Sequence, residues 1–239
     1  MGDSTLIAST AKLTRQQLAA VPTPLGTATH RPIPHAEVVE VLIETLGFRH
    51  ISVVKDEFAV SRDGMKMFGV LDLDTGMHGC RFSIGIRNAH DKSMRLAMTV
   101  GYRVFVCENM AFSGDFQPVL AKHSKNFSLQ NAVSIGVDEM QRNFDGMRQQ
   151  VDAWRGSQLA DVTAKLIIYR AFIESELEVP KHLARPVHEL YFNPQHEEFQ
   201  SRTLWSLSNA FTSAFKELEP IPQFKATAKL AGFLEAAAQ

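Results

Sequence analysis

The sequence predicts an α+β fold: a four-stranded antiparallel meander over residues ~50–107, packed by a long helix and a C-terminal helical region. Three observations carry this. Alternating apolar runs separated by turn residues fill residues 51–107. A heptad-spaced apolar seam runs from Val133 to Trp154. The strands come first and the helices afterwards, where a parallel α/β fold would alternate them.

In chain order, residues 1–35 are expected to form a flexible, Pro-rich N-terminal segment, because "VPTPLGTATHRPIPH" disfavours helix and central strand alike. A single α+β domain then covers 36–239, with a helix-plus-sheet part at 36–127 and a helical part at 128–239. "HAEVVEVLIETLGF" places Val38, Val41, Leu42 and Leu46 at helical spacing, with Gly47 as a stop. The strands follow at 51–60, 66–73, 80–87 and 94–107. The first pair is joined by the Asp-Gly turn of "SRDGM". Short connections make neighbours antiparallel.

The seam residues Val133, Val137, Met140, Phe144, Met147, Val151 and Trp154 define the long helix, capped by Ser128. Gly136 and Gly146 lower its intrinsic stability, so packing must support it. A second helix is expected from Ser157, burying Leu159, Val162, Leu166, Tyr169 or Arg170, and Ile173. A Pro-punctuated segment spans 180–194. A third helix buries Leu204, Trp205, Leu207, Phe211 and Phe215. "EPIPQ" breaks it before an Ala-rich tail helix.

The chain has 239 residues, 45% hydrophobic and 21% charged, with a formal net charge of -1. That balance provides no global attraction for nucleic acid or an anionic membrane, so such binding needs a local patch. No apolar run reaches the roughly 18 residues of a membrane span. The N-terminus lacks the pattern of a secretory signal. Cys80 and Cys107 therefore read as free thiols in a reducing compartment, and the expected setting is cytoplasmic.

Strand parity locates a candidate patch. Cys80, Phe82, Ile84 and Ile86 share one face with the apolar side of strand four. The other parity carries Arg81, Ser83, Gly85 and Arg87, then Arg95, Ala97, Thr99, Gly101 and Arg103. Arginines at small residues suit phosphate or carboxylate. Phe68 and Phe105 are the aromatics available for base stacking.

Between strands three and four, Asn88, His90, Asp91, Lys92 and Ser93 form a polar connection. Asn and Asp are turn formers, whereas a His-Asp pair can also serve acid/base or metal chemistry. A Cys107–His90 dyad is disfavoured, since thirteen residues of strand span about 40 Å. His182, His188 and His196 lie in an acidic segment but match no zincin spacing. No Gly-rich phosphate loop, CxxC pair or GxSxG elbow is present.

The segment "SIGIRNAHDKSMRLAMTVGYRVFVCENMAFSGD" resembles the phage/plasmid-like protein family of unknown function (DUF 932). The resemblance rests on a strand ending in Arg-Asn-[Ser/Ala]-His-Asp and a second ending in Val-Phe-Val-Cys-x-Asn, followed by Phe-Ser-Gly. These fall on Arg87, Asn88, His90, Asp91, Ser93, Gly101, Arg103, Phe105, Cys107, Asn109, Phe112 and Gly114. "RTLWSLSNAFT" is similar to a second block, with Trp205, Asn209 and Thr212. The resemblance implies a mobile-element setting and no particular activity.

The expectation is a non-enzymatic accessory that binds or anneals single-stranded DNA. Arg81, Arg87, Arg95 and Arg103 would contact phosphates, with His90 and Lys92 extending the contact. It is expected to be homo-oligomeric and to need no cofactor. The alternatives are a protein-binding module that counters a host defence and a metal-dependent hydrolase using the His90–Asp91 loop.

Overall fold

The computed structural model describes residues 12–107, 109–112, 118–218 and 220–238. The chain divides into two compact units. The sheet unit takes residues 12–102 and 118–144; the helical unit takes 103–112 and 145–238. The division falls inside the long helix rather than at its start.

In the sheet unit, α1 (Arg15–Ala19) and α2 (His35–Gly47) precede the strands β1 (Val53–Val60), β2 (Lys66–Met77), β3 (Cys80–Ala89) and β4 (Leu96–Val104). These four run in sequence order as the predicted meander. Two three-residue strands, β5 (Met110–Phe112) and β6 (Val119–Ala121), are additional, and β6 pairs antiparallel with β4 through Leu96↔Ala121. The Asp-Gly turn joins β1 to β2, with Gly64 at φ 72.

Residues 12–34 carry more structure than their prolines suggest. Leu13 bridges to Phe58 beside β1, and Thr14 closes a capping box on Gln17. Lys12 pairs with Glu57 and Arg15 with Asp56. His30 and Ile33 are buried.

The apolar parity of the strands meets helices as expected. Phe82 stacks on Phe144 of α3 (Leu129–Gly156) with ring centroids 4.1 Å apart. All seven seam residues of α3 are buried, and Ser128 Oγ accepts from Asn131 N at 3.4 Å. A Cβ at Gly136 would collide with Val119 of β6, so this glycine lets strand and helix approach. Arg49 fixes the end of α2 to α3 through Asp138 (2.6 Å) and Ser134 Oγ (2.8 Å).

The opposite parity is not an open face. Every β4 residue is buried, as are Ser83 and Gly85. Glu57 and Asp72 from β1 and β2 share this side, and Ser83 Oγ donates to Asp72 at 2.6 Å. Parity on β3 and β4 alone counted four arginines and missed the acids that the neighbouring strands place beside them.

In the helical unit, β4 ends at Val104, three residues before the predicted end. There Val104 N donates to Asn109 O at 2.8 Å, closing a turn into β5. The helices are α4 (Asp161–Phe172), α5 (Ala184–Phe192), α6 (Leu204–Ala214) and α7 (Pro220–Ala237). Ser157 does not cap α4. Its carbonyl instead accepts from Leu204 N, and Gln158 bridges to Thr203. Of the expected face Leu159 is buried, but Val162, Leu166, Tyr169 and Ile173 are exposed, while Ala164, Ile167, Ile168, Ala171 and Phe172 are buried. Pro220 opens α7 rather than only breaking a helix, since Pro at the first helical position has no N–H to leave unpaired.

Candidate functional site

The turn end of the sheet unit gathers residues that are distant in sequence. The β1–β2 turn lies beside the end of β3, because His90 N donates to Met65 O at 2.8 Å. The residues after β6 reach the same end. There His30 bridges to Ser124, and Arg31 N donates to His123 O at 3.2 Å. His35, opening α2, donates from Nε2 to Gly64 O at 3.1 Å.

Four buried imidazoles result: His30, His35, His90 and His123. His35 stacks on His90 with centroids 3.9 Å apart, and His30 on His123 at 5.6 Å. Asn88 donates from Nδ2 to Ile33 O (3.0 Å) and to His35 Nδ1 (2.9 Å). His35 is thereby defined as the neutral Nε2–H tautomer. His90 donates from Nε2 to Ile33 O at 3.0 Å, leaving its buried Nδ1 without a partner. Neither nitrogen of His123 has one. His30 differs: Nδ1 faces His123 O at 2.9 Å and Nε2 faces His90 O at 3.0 Å. A neutral ring donates one of these bonds; the imidazolium donates both.

Burial, reinforced by neighbouring His90, lowers the His35 pKa to about 4. Burial, then the proximity of His30 and His90, lowers His123 to about 4 as well. Burial also pulls His90 below the ordinary histidine range. These rings are arranged to stay neutral.

The connection after β3 splits into two parts. Asn88 and His90 belong to the buried cluster. Asp91, Lys92 and Ser93 form the exposed turn, in which Asp91 Oδ1 accepts from Ser93 N (3.0 Å) and Ser93 Oγ (2.5 Å). The Ser93 hydroxyl, followed by its N–H, holds the Asp91 carboxyl below its usual range. Lys92 sits at φ 64. Turn chemistry accounts for Asp91 to Ser93, but not for Asn88 and His90.

A basic rim surrounds this cluster. Arg31, Arg62, Lys92, Arg95, Lys122 and Lys125 are exposed and Lys66 is half-buried. The turns and registers above put them all at this end of the sheet. The acids in these turns are Asp63, held by Ser61 and Met65 N, and Asp91, 4.0 Å from Lys66. Of the arginines predicted as phosphate ligands, Arg95 belongs to this rim and Arg87 is half-buried two residues from the end of β3. Arg81 lies near the opposite end, paired with Gly76. Arg103 is only 3% exposed and falls in the helical unit. His90 lies under the rim, not on it. Residue-by-residue parity missed His30, His35 and His123. The one available signal was a histidine pair flanking "RPIP" that no turn or helix rule required.

The motif residues Cys107, Asn109, Trp205, Asn209 and Thr212 lie in the helical unit. Asn109 donates from Nδ2 to Asn209 O (3.0 Å) and Oδ1 (3.2 Å), and Ser213 Oγ donates to Asn109 Oδ1 at 3.0 Å. Asn209 Nδ2 donates to Trp205 O at 3.0 Å, and Lys216 Nζ to Cys107 O at 2.6 Å. Thr212 Oγ1 donates to Ser208 O at 3.1 Å. "VFVCEN" and "RTLWSLSNAFT" are thus two halves of one polar lock. Gly114 lies outside the described residues. Cys80 is buried and Cys107 half-buried.

His188 packs on Phe192 and His196 on Phe199. Among the described residues, no group of three or more His, Cys, Asp or Glu is placed to hold a metal ion. No described helix is long and apolar enough to cross a membrane.

No curated protein and no solved structure matches the chain. A family model, described as a domain of unknown function (DUF932), matches residues 27–230. That span begins just before the His30 segment and extends past both motif networks into α7, so the chain belongs to the DUF932 family.

Proposed function

We propose that the protein is a non-enzymatic, cytoplasmic accessory of a mobile element that binds single-stranded nucleic acid through the basic rim of its sheet unit. The observation that carries this reading is the collection of Arg31, Arg62, Lys66, Lys92, Arg95, Lys122 and Lys125 at one end of the sheet, against Asp63 and Asp91. In a chain of formal net charge -1, such a grouping is a local attraction for phosphates. The interface lies at the turns, because the arginine-bearing parity of β3 and β4 is covered. The mobile-element setting rests on the resemblance of the Arg-Asn-Ala-His-Asp motif. Fluorescence anisotropy of a labelled single-stranded oligonucleotide tests the reading: binding at low salt, weakening steeply with salt, supports it, and no binding at low salt ends it.

A second reading, a protein-binding module, is favoured by α4. Val162 (78% exposed), Leu166 (54%), Tyr169 (50%) and Ile173 (48%) form an apolar stripe at helical spacing on the outside of the helical unit. Such a stripe suits an amphipathic helix of a partner, including another copy of this chain.

A further inference from the structure

The four buried histidines join segments that carry the basic rim. His30 adjoins Arg31, His35 holds the β1–β2 turn through Gly64, His90 leads into the Asp91–Ser93 turn, and His123 follows Lys122. We propose that these rings form an acid-released latch, which holds the basic end together while His35, His90 and His123 are neutral and lets its segments part when those three are protonated.

The geometry dictates the sign. A proton on His35 Nδ1 would face the Asn88 amide, turning an acceptor–donor pair into two opposed donors. A proton on His90 Nδ1 would bury a donor with no acceptor, on a ring lying flat against His35. A proton on His123 would leave two buried N–H donors without acceptors, beside the stacked ring of His30. Only His30 gains a bond on protonation, since both its nitrogens face carbonyls, and a charge there opposes one on His90 or His123. The charged groups nearby are Asp91, which favours a proton on His90, Asp63 in the adjoining turn, Glu37 in the first turn of α2, and the rim cations, of which Arg31 and Lys122 adjoin His30 and His123 and disfavour further positive charge. One acid next to one ring does not offset the strain at the other two.

That the latch regulates binding rests on the proposed function; that it opens does not, and the test is made on the protein alone. Hydrogen–deuterium exchange of the full chain is compared at about pH 7.5 and about pH 5, corrected for intrinsic rates. Peptides covering 27–35, 61–66 and 119–126 are expected to exchange roughly tenfold faster at the lower pH, while those covering 69–73 and 82–86 hold. No acid effect, or equal loosening of the strand peptides, overturns the latch. His123→Leu removes a ring whose nitrogens bond to nothing, so the fold persists. The variant is expected to lose about a third to a half of the acid response on a logarithmic scale, as one of the rings that resist the proton, and an unchanged response overturns the role of His123. If the segments part as expected but oligonucleotide is bound at neither pH, the nucleic-acid reading falls and the latch stands.

Discussion

Asn88 is the residue whose removal tests the buried cluster most directly. Its side chain is fully buried and its amide donates to both Ile33 O and His35 Nδ1. Asn88→Ala removes both bonds. Ile33 O keeps the bond from His90 Nε2, so its loss costs only about 1 kcal/mol. His35 Nδ1 is left buried with no donor, at about 1–3 kcal/mol. The sum is about 2–4 kcal/mol, or a drop in Tm of roughly 5–15 °C for a chain of this size. Urea titration at neutral pH measures it, with Ser93→Ala, on the exposed turn, expected within about 1 kcal/mol of wild type. A loss below about 1 kcal/mol for Asn88→Ala would refute the reasoning. Asn88→Asp sharpens the test. A carboxylate can meet His35 Nδ1 while Nε2 still donates to Gly64 O only if that ring is protonated, so the folded pKa of His35 rises above its unfolded value. The stability this contributes is present below about pH 6.5 and lost as pH rises. In wild type the folded pKa of His35 is depressed, and its contribution is lost as pH falls. Parallel pH–stability curves for the two proteins would show that Asn88 and His35 are not coupled.

Four further outcomes are expected. Wild-type stability should be complete above about pH 6.5 and decline from there to about 4, because unfolded His35 and His123 take up protons in that window while the folded rings resist; after allowance for water entry, the loss is roughly 1–2 kcal/mol per ring, and stability that is flat across the window counts against the cluster. Lys92→Ala and Arg95→Ala should each reduce the salt slope of oligonucleotide binding by about 1, whereas an unchanged slope places the interface elsewhere. Asn109→Ala should destabilise the helical unit by about 2–4 kcal/mol, read by urea titration, since it removes bonds to Asn209 and Ser213 inside the core. Leu166→Glu on α4 should leave stability within about 0.5 kcal/mol and abolish any concentration-dependent increase in native mass; a large Tm loss would mean the stripe is covered within the chain.

The four long strands and the α3 seam were legible because each repeats a period long enough to have one solution. β5 and β6 were not, since three residues cannot establish an alternation. α4 shows a different failure. Its apolar residues nearly encircle the helix, so two faces satisfy helical spacing: Val162, Leu166, Tyr169 and Ile173, or Ala164, Ile167, Ala171 and Phe172. Only packing selects the second. The pattern on β3 and β4 showed which residues share a side but not what covers it, which is why Arg103 read as exposed. The histidine cluster was illegible for a deeper reason. His30, His35, His90 and His123 are joined by the antiparallel register and by β6 doubling back beside β4, and no local pattern contains that information.

The buried residues of the two motifs mark how the fold is held, and a ligand is to be sought beside them. Asn88, His90, Asn109 and Asn209 are all buried, and each bonds to chain at least fifty residues away in sequence. An Asn side chain suits this work because its amide can donate twice, as Asn88 and Asn109 do, and in Asn109 the carbonyl accepts from Ser213 as well. A histidine does the same with a change of sign available to it, which an amide lacks. Residues free to choose a ligand are the motif's exposed neighbours: Lys92 and Arg95 after His90, Arg31 after His30, Lys122 and Lys125 around His123. Buried ties fix where these side chains stand; the side chains decide what they meet. In this chain the ligand is therefore to be sought in the charge of the rim rather than in the buried signature.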